Sequence, residues 1–286
     1  MITDRSQRWR NRRAYYVPAS TIIDPRDYAV DVINSYKTAK PFIEQHHYSQ
    51  SISAPRLSLG LFRNGAAGTS DLVGVCVFSV PVNNASVPKH TGLTDPNKGC
   101  DLGRFCLLDE VPGNGESRFL SLAMRLLRQQ KPDILSIVSY ADPMKRIGDD
   151  GQILAPGHVG QIYQHGAHYR GRTKPRTMFF TPDGQIFAER ALSKIKGGET
   201  GQGYAVDELV RRGAKKPMTD DLRGWLSQLK DSGFLIPRRH EGNHIYNFPL
   251  TKAAKLAQRN LPSLPYPILD RSPQGLDVTA LPLLAA

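Results

Sequence analysis

Asp101–Leu127, DLGRFCLLDEVPGNGESRFLSLAMRLL, is the stretch whose reading decides the fold. Asp101 to Val111 reads as a strand, Pro112 interrupts it, and Gly113-Asn114-Gly115 forms a turn. From Glu116 to Gln130 the apolar residues Phe119, Leu122, Ala123, Leu126 and Leu127 recur at the spacing of one helical face. Pro132 stops that helix. A strand that enters a helix through a glycine turn presents unpaired N–H groups and partial positive charge where an anion can come close. Gly113, Asn114, Gly115 and Ser117 are therefore candidates to cradle a phosphate, although Ser117 could equally serve as a helix cap.

Downstream, Ile134 to Tyr140 is almost wholly apolar, as in a strand buried on both faces, and Ala141-Asp142-Pro143 leaves it. A long loop bearing Gly148, Gly151, Pro156 and Gly157 leads to a short helix around Gln161 to Gln164. Closing strands follow at Tyr169 to Arg172 and Arg176 to Thr181. Upstream, Asp27 to His46 reads as a helix broken at Pro41. Leu57 to Arg63 and Leu72 to Val82 read as an antiparallel hairpin, and Asn83 to Cys100 as a loop. This order predicts an α/β (α+β) domain over 26–195, with a mixed central sheet flanked by helices. Residues 205–260 change character. Helices at Asp207 to Arg212 and Thr219 to Ser232, then a hairpin Phe234 to Pro249 turning at Glu241-Gly242-Asn243, predict a small winged-helix-like or accessory module. Its Arg223, Lys230, Arg238, Arg239 and His240 are available for phosphate. Residues 1–25 read as a basic arm and 261–286 as a Pro-rich tail.

Thirty-eight Lys and Arg against 26 Asp and Glu give the chain of 286 residues a formal charge of +12, which suits a polyanion such as double-stranded DNA. A solvated basic surface would carry the same charge. No apolar run is long enough to span a bilayer, and the Arg-rich start has no apolar segment of a secretory signal. A soluble protein that stays in the cell making it is expected. Cys76, Cys100 and Cys106 have neither a disulfide-like count nor metal-ligand spacing, and read as buried structural residues.

The order of elements, with Ile162-Tyr163-Gln164-His165-Gly166 before a closing strand, resembles the GCN5-related N-acetyltransferase (GNAT) fold. In that fold a strand-turn-helix binds the pyrophosphate of acyl-CoA and a later tyrosine protonates the leaving thiolate. More finely, His46-His47-Tyr48-Ser49, Leu102-Gly103-Arg104-Phe105, Glu116-Ser117-Arg118-Phe119, Ser139-Tyr140-Ala141-Asp142 and Gly160-Gln161-Ile162-Tyr163 together resemble the Mom family of phage DNA adenine-modification proteins. The likeness spans about Phe42 to Thr173. It implies a GNAT-like domain and an acetyl-CoA or related acyl-CoA donor. It also implies carbamoylmethylation of adenine in DNA, protection from restriction, and residence in the cytoplasm of the infected host. Iron, as Fe(II), is a second cofactor associated with the family.

Tyr163, Asp142, His47 and Tyr48 are the catalytic candidates implied, with Arg104 joining the Gly113–Ser117 turn at the donor. Tyr163 could donate a proton. Asp142 could accept from the adenine amine or bind metal, and could equally be a turn residue. Arg104 could pair with Asp142 or a phosphate. A flipped base would need aromatic partners, for which Tyr15, Tyr16, Tyr48 and Tyr169 are available. The metal ligands and oligomeric state stay open. Two other readings fit the same pattern: an acetyltransferase acting on a protein, polyamine or hypermodified base, and a non-catalytic protein that binds DNA through basic flanks.

Overall fold

A computed structural model describes residues 5–18, 22–64, 71–148 and 150–268. An antiparallel ribbon of β1 (Arg5–Arg10) and β2 (Arg13–Pro18) precedes β3 (Tyr28–Val32) and α1 (Lys40–His46). The helix expected from Asp27 is thus a strand followed by a helix. Tyr-Ala-Val-Asp-Val is rich in β-formers, and pairing of Tyr28–Val32 with Arg63–Leu59 outweighs the weak helical spacing. Pro41 lies in the first turn of α1, where a missing N–H costs nothing, so it begins the helix and does not break it.

β4 (Pro55–Arg63) and β5 (Asp71–Ser79) form the expected hairpin. The segment read as a loop contains α2 (Ser86–Thr91), ended by Gly92 at φ 74°. Then come β6 (Gly99–Leu107), α3 (Gly115–Gln130) and β7 (Ser136–Ala141), as the deciding stretch requires. A small ribbon of β8 (Arg146–Ile147) and β9 (Ile153–Ala155) leads to a 3-10 turn at Gln161–Gln164 and to β10 (His168–Arg172), β11 (Arg176–Phe180) and β12 (Ile186–Phe187). Helices α4 (Glu189–Gly197), α5 (Gln202–Arg211) and α6 (Leu222–Asp231) precede β13 (Ile236–His240), β14 (His244–Pro249) and α7 (Lys252–Ala257).

Seven strands form a mixed sheet in the order β10-β14-β7-β6-β5-β4-β3, in which β6 and β7 alone run parallel. The hairpin expected at Phe234 to Pro249 is not made. Strand β13 pairs with β11 in a separate three-stranded sheet, while β14 enters the main sheet between β7 and β10. Side-chain chemistry explains the parting. Ile245, Tyr246 and Phe248 of β14 are buried, whereas Ile236 to Arg239 of β13 are exposed.

Both faces of the sheet are covered. Phe119, Leu120, Ala123 and Leu127 of α3 pack with Leu59, Leu61, Phe78 and Ile137 on one face. Trp9, Phe42 and Ile43 pack with Val75, Val77 and Cys106 on the other. Fully burying each Leu or Phe contributes about 1.5–3 kcal/mol. Leu192, Ile195, Leu209, Trp225, Leu226 and Leu235 form a second core among α4, α5 and α6. The three cysteines are free and buried, and burial pushes their thiols up, which suits a packing role. No helix of the described residues is long and apolar enough to cross a membrane.

His90 and His244 have their pKa lowered from 6.5 to about 4, mainly by burial. Between those values the unfolded chain takes up protons that the folded one refuses. Stability is therefore full above about pH 6.5 and falls as pH drops towards 4. Thermal melts across this window should show a declining midpoint; an unchanged midpoint would refute the assignment.

Candidate active site

Strands β6 and β7 pair only where Gly99–Asp101 meets Ser136–Val138. Beyond that point β6 continues beside β5 while β7 continues beside β14, so the parallel pair splays. The facing backbone edges lose their partners there. A cleft of about 970 Å³ opens at the splay, with Leu102, Gly103 and Arg104 on one side and Tyr140 and Asp142 on the other. Gly103 is required by a close approach, because a Cβ would lie 2.2 Å from Ser79 Oγ.

Asp142 follows the last residue of β7. Its Oδ1 accepts from Met144 N and from His240 Nε2, each at 2.9 Å, and its Oδ2 pairs with Arg146. Burial alone would raise this carboxyl, but Arg146 and the His240 hydrogen bond outweigh burial and hold it below its ordinary value. It is ionised at neutral pH. His240 is fully buried, and its Nδ1 accepts from Gly242 N at 2.9 Å. That bond assigns the proton to Nε2, the atom facing Asp142. His240, expected to be available for phosphate, therefore serves Asp142 instead.

The rings of His47 and Tyr48 lie 4.4 Å apart and tilted by 31°, and Trp9 lies 4.8 Å from His47 and 5.3 Å from Tyr48. The Arg146 guanidinium sits 4.4 Å from the centre of the Tyr48 ring, joining this aromatic wall to Asp142. His47 Nδ1 is taken by Ser49, whose amide donates at 3.2 Å. Burial and the nearby Arg104 and Arg146 keep the His47 ring neutral.

Tyr163, in the 3-10 turn, packs against Tyr246 and edge-on to Phe248. Its hydroxyl has no hydrogen-bond partner among the described residues, and it lines the cleft. Burial raises its pKa, so the phenol keeps its proton. Gly160, at φ 75°, starts this turn; a Cβ there would lie 2.7 Å from the rings of Tyr163 and Tyr246.

Asn114 and Ser117 also line the cleft, with Asn114 in the left-handed region at φ 63°. The Ser117 hydroxyl donates back to Asn114 O at 3.1 Å, while the amides of Glu116 and Ser117 have no acceptor among the described residues. Gly113 and Gly115 shape the turn from behind: Gly113 O accepts from Ile23 N, and a Cβ on Gly115 would lie 2.5 Å from Val111. Behind the turn, the buried Arg8 guanidinium binds Val111 O at 2.9 Å, Pro112 O at 2.6 Å and the Glu116 carboxylate. The N-terminal basic segment is thus a folded ribbon whose Ser6, Gln7 and Trp9 form part of the cleft wall.

Arg104 does not meet Asp142. Its guanidinium donates to Ser51 O at 2.7 Å, Gly103 O at 2.6 Å and Ser51 Oγ at 3.1 Å, bracing the segment after Tyr48 against β6. Among the aromatics available for a base, Tyr48 lines the cleft; Tyr169 bonds His244 at 2.8 Å away from it; the Tyr16 side chain lies outside the described residues. No three His, Cys, Asp or Glu side chains group to hold a metal among the described residues. Asp142 is occupied by Arg146 and His240, so the site does not fit an Fe(II) held by Asp142 and His47.

Sequence reasoning counted Arg8 only among the arginines of a basic arm and passed over Trp9, Arg146 and His158. Asp142 and Arg146 meet across a non-helical loop, where a four-residue spacing carries no signal in the sequence. His158, which lines the cleft and donates its amide to Asp142 O at 2.9 Å, had none.

A family model described as Mom protein family matches residues 27–268. The methylcarbamoylase mom of Escherichia phage Mu is 29% identical over 165 residues, covering 57% of this chain and 61% of the phage protein. The chain thus spans less than two thirds of that relative's length.

Proposed function

Because the chain belongs to the Mom protein family, we propose that it is a phage DNA-modifying transferase acting on the exocyclic amine of adenine. The product is the carbamoylmethyl derivative, which protects phage DNA from restriction. The observation that carries this reading is the convergence of Asp142, Tyr163, His47, Tyr48 and the start of α3 on one cleft at the β6–β7 splay. The name of the phage Mu relative agrees with transfer of a carbamoyl-bearing carbon group.

In this reading the domain is GNAT-like and the donor is an acetyl-CoA-type thioester, which supplies the activated group when bound. The unpaired edges of β6 and β7 suit an extended arm bearing amides, and the free Glu116 and Ser117 amides suit its phosphates. Tyr163, protonated and without a hydrogen-bond partner among the described residues, would hold its proton towards the donor's thioester sulfur. Asp142, ionised, accepts from the attacking amine. Trp9 and Tyr48 line the cleft where a base flipped out of the duplex would enter.

Plasmid DNA co-produced with the protein, digested to nucleosides and analysed by mass spectrometry, should contain a heavier deoxyadenosine absent from vector controls. Unaltered nucleosides beside soluble protein would refute DNA modification. Transfer of label from acetyl-CoA to protein extracts alone would favour an ordinary acetyltransferase.

A further inference from the structure

One strand, β13, carries two kinds of residue on the face it turns to the cleft. In its antiparallel register with β11, His240 lies opposite Arg176, Arg238 opposite Met178, and Ile236 opposite Phe180. Directly opposed residues share a face. His240 reaches Asp142, Arg176 and Met178 line the cleft, and the Arg238 guanidinium lies 4.9 Å from the Phe180 ring. Arg239, on the other face, is paired with Glu241.

Arg176 and Arg238 have no carboxylate within ion-pair distance among the described residues, nor do the exposed Arg172 and Lys174 on the approach to β11. Most other arginines that the cleft calls on are neutralised or bound to backbone, as Arg8, Arg104 and Arg146 are. The rim itself is built to hold shape. Thr173 N donates to Asn243 O at 2.9 Å, Asn243 N to Thr173 Oγ1 at 2.8 Å, and a Cβ on Gly242 would lie 2.0 Å from Thr173 O. Asn243 Oδ1, also on the cleft, is buried without a donor.

A nucleotide swung out of a duplex keeps its sugar and flanking phosphates, so a pocket that receives the base needs cations at its rim within about one nucleotide. Arg238 stands two residues from His240, roughly 7 Å along the strand. We propose that the cleft-facing side of β11 and β13, through Arg176 and Arg238 and with Arg172 and Lys174 beside them, grips the phosphate backbone of duplex DNA and aims the flipped base at Asp142. The proposal rests on the cleft being a DNA base-modifying site. Strand β13 then acts twice on one face, since His240 holds the catalytic carboxylate while Arg238, two residues nearer the start of the strand, holds the substrate.

The test is fluorescence anisotropy of a labelled DNA duplex across a salt series. The proteins compared are the full chain, Arg176→Gln/Arg238→Gln, the exposed single variant Arg238→Gln, and a control, Arg128→Gln/Lys131→Gln. The control pair lies at the far end of α3, roughly 20 Å along the helix from Ser117. The slope of log affinity against log salt should shrink by about 2 in the double variant and about 1 in Arg238→Gln, since each lost phosphate contact removes about 0.9. The control should keep the parental slope. An unchanged slope in both lip variants, or an equal loss in the control, overturns the lip while leaving DNA modification standing. Parental protein that binds no duplex at low salt overturns the DNA reading and the lip with it.

Discussion

Tyr163→Phe is expected to lower adenine modification by about 10²–10⁴-fold, the range over which a positioned proton donor acts. The substitution removes one oxygen and little else. The ring of residue 163 keeps its contacts with Tyr246 and Phe248, and the lost hydroxyl has no partner to orphan among the described residues. Stability should therefore change little, which separates chemistry from folding. Burial keeps the phenol protonated, so it can give a proton but is a poor source of phenolate. Mass spectrometry of nucleosides from cells carrying either version reads the result. An undiminished heavier deoxyadenosine with Tyr163→Phe would remove this residue from the chemistry even if the activity itself were established.

The largest effect on stability is expected at the other end of the cleft. Arg8→Ala should cost about 3–5 kcal/mol, the cost of breaking a buried ion pair by removing one partner. Arg8 is wholly shielded, and Glu116, only 17% exposed, would be left without its cation. Val111 O and Pro112 O would lose their donors at the same time. Arg8→Lys should recover only part of the loss, because a single ammonium cannot imitate a fork that meets four acceptors, Gln7 O, Val111 O, Pro112 O and the Glu116 carboxylate. Urea unfolding midpoints measure this; a loss below about 1 kcal/mol would show that the ribbon is not anchored through Arg8. The same variant loosens the turn from Gly113 to Ser117 and the Trp9 wall, so donor binding should weaken along with the fold.

Much of the scaffold was legible from local chemistry. The strand-turn-helix from Asp101 to Leu127, the β4–β5 hairpin, β7 and the 3-10 turn bearing Tyr163 each follow from a period, a glycine or a proline within a few residues. The candidates at Asp142, Tyr163, Tyr48 and His47, which lie around one cleft, came from the resemblance to the Mom family and not from any local pattern. The rest required partners far along the chain. Tyr28–Val32 is a strand because Leu59–Arg63 offers an edge, and His244–Pro249 leaves its neighbour β13 because the gap beside β7 buries its apolar residues better than a surface hairpin would. Arg104 turned to Ser51 and left Asp142 to Arg146 and His240, the latter 98 residues away. Sequence by itself determined which segments are helix or strand wherever periodicity and turn residues agree, because those signals act over a few bonds. Tertiary structure alone decided which strand lies beside which, and hence which charge answers Asp142, because that choice is a competition for burial among segments that local propensity cannot rank.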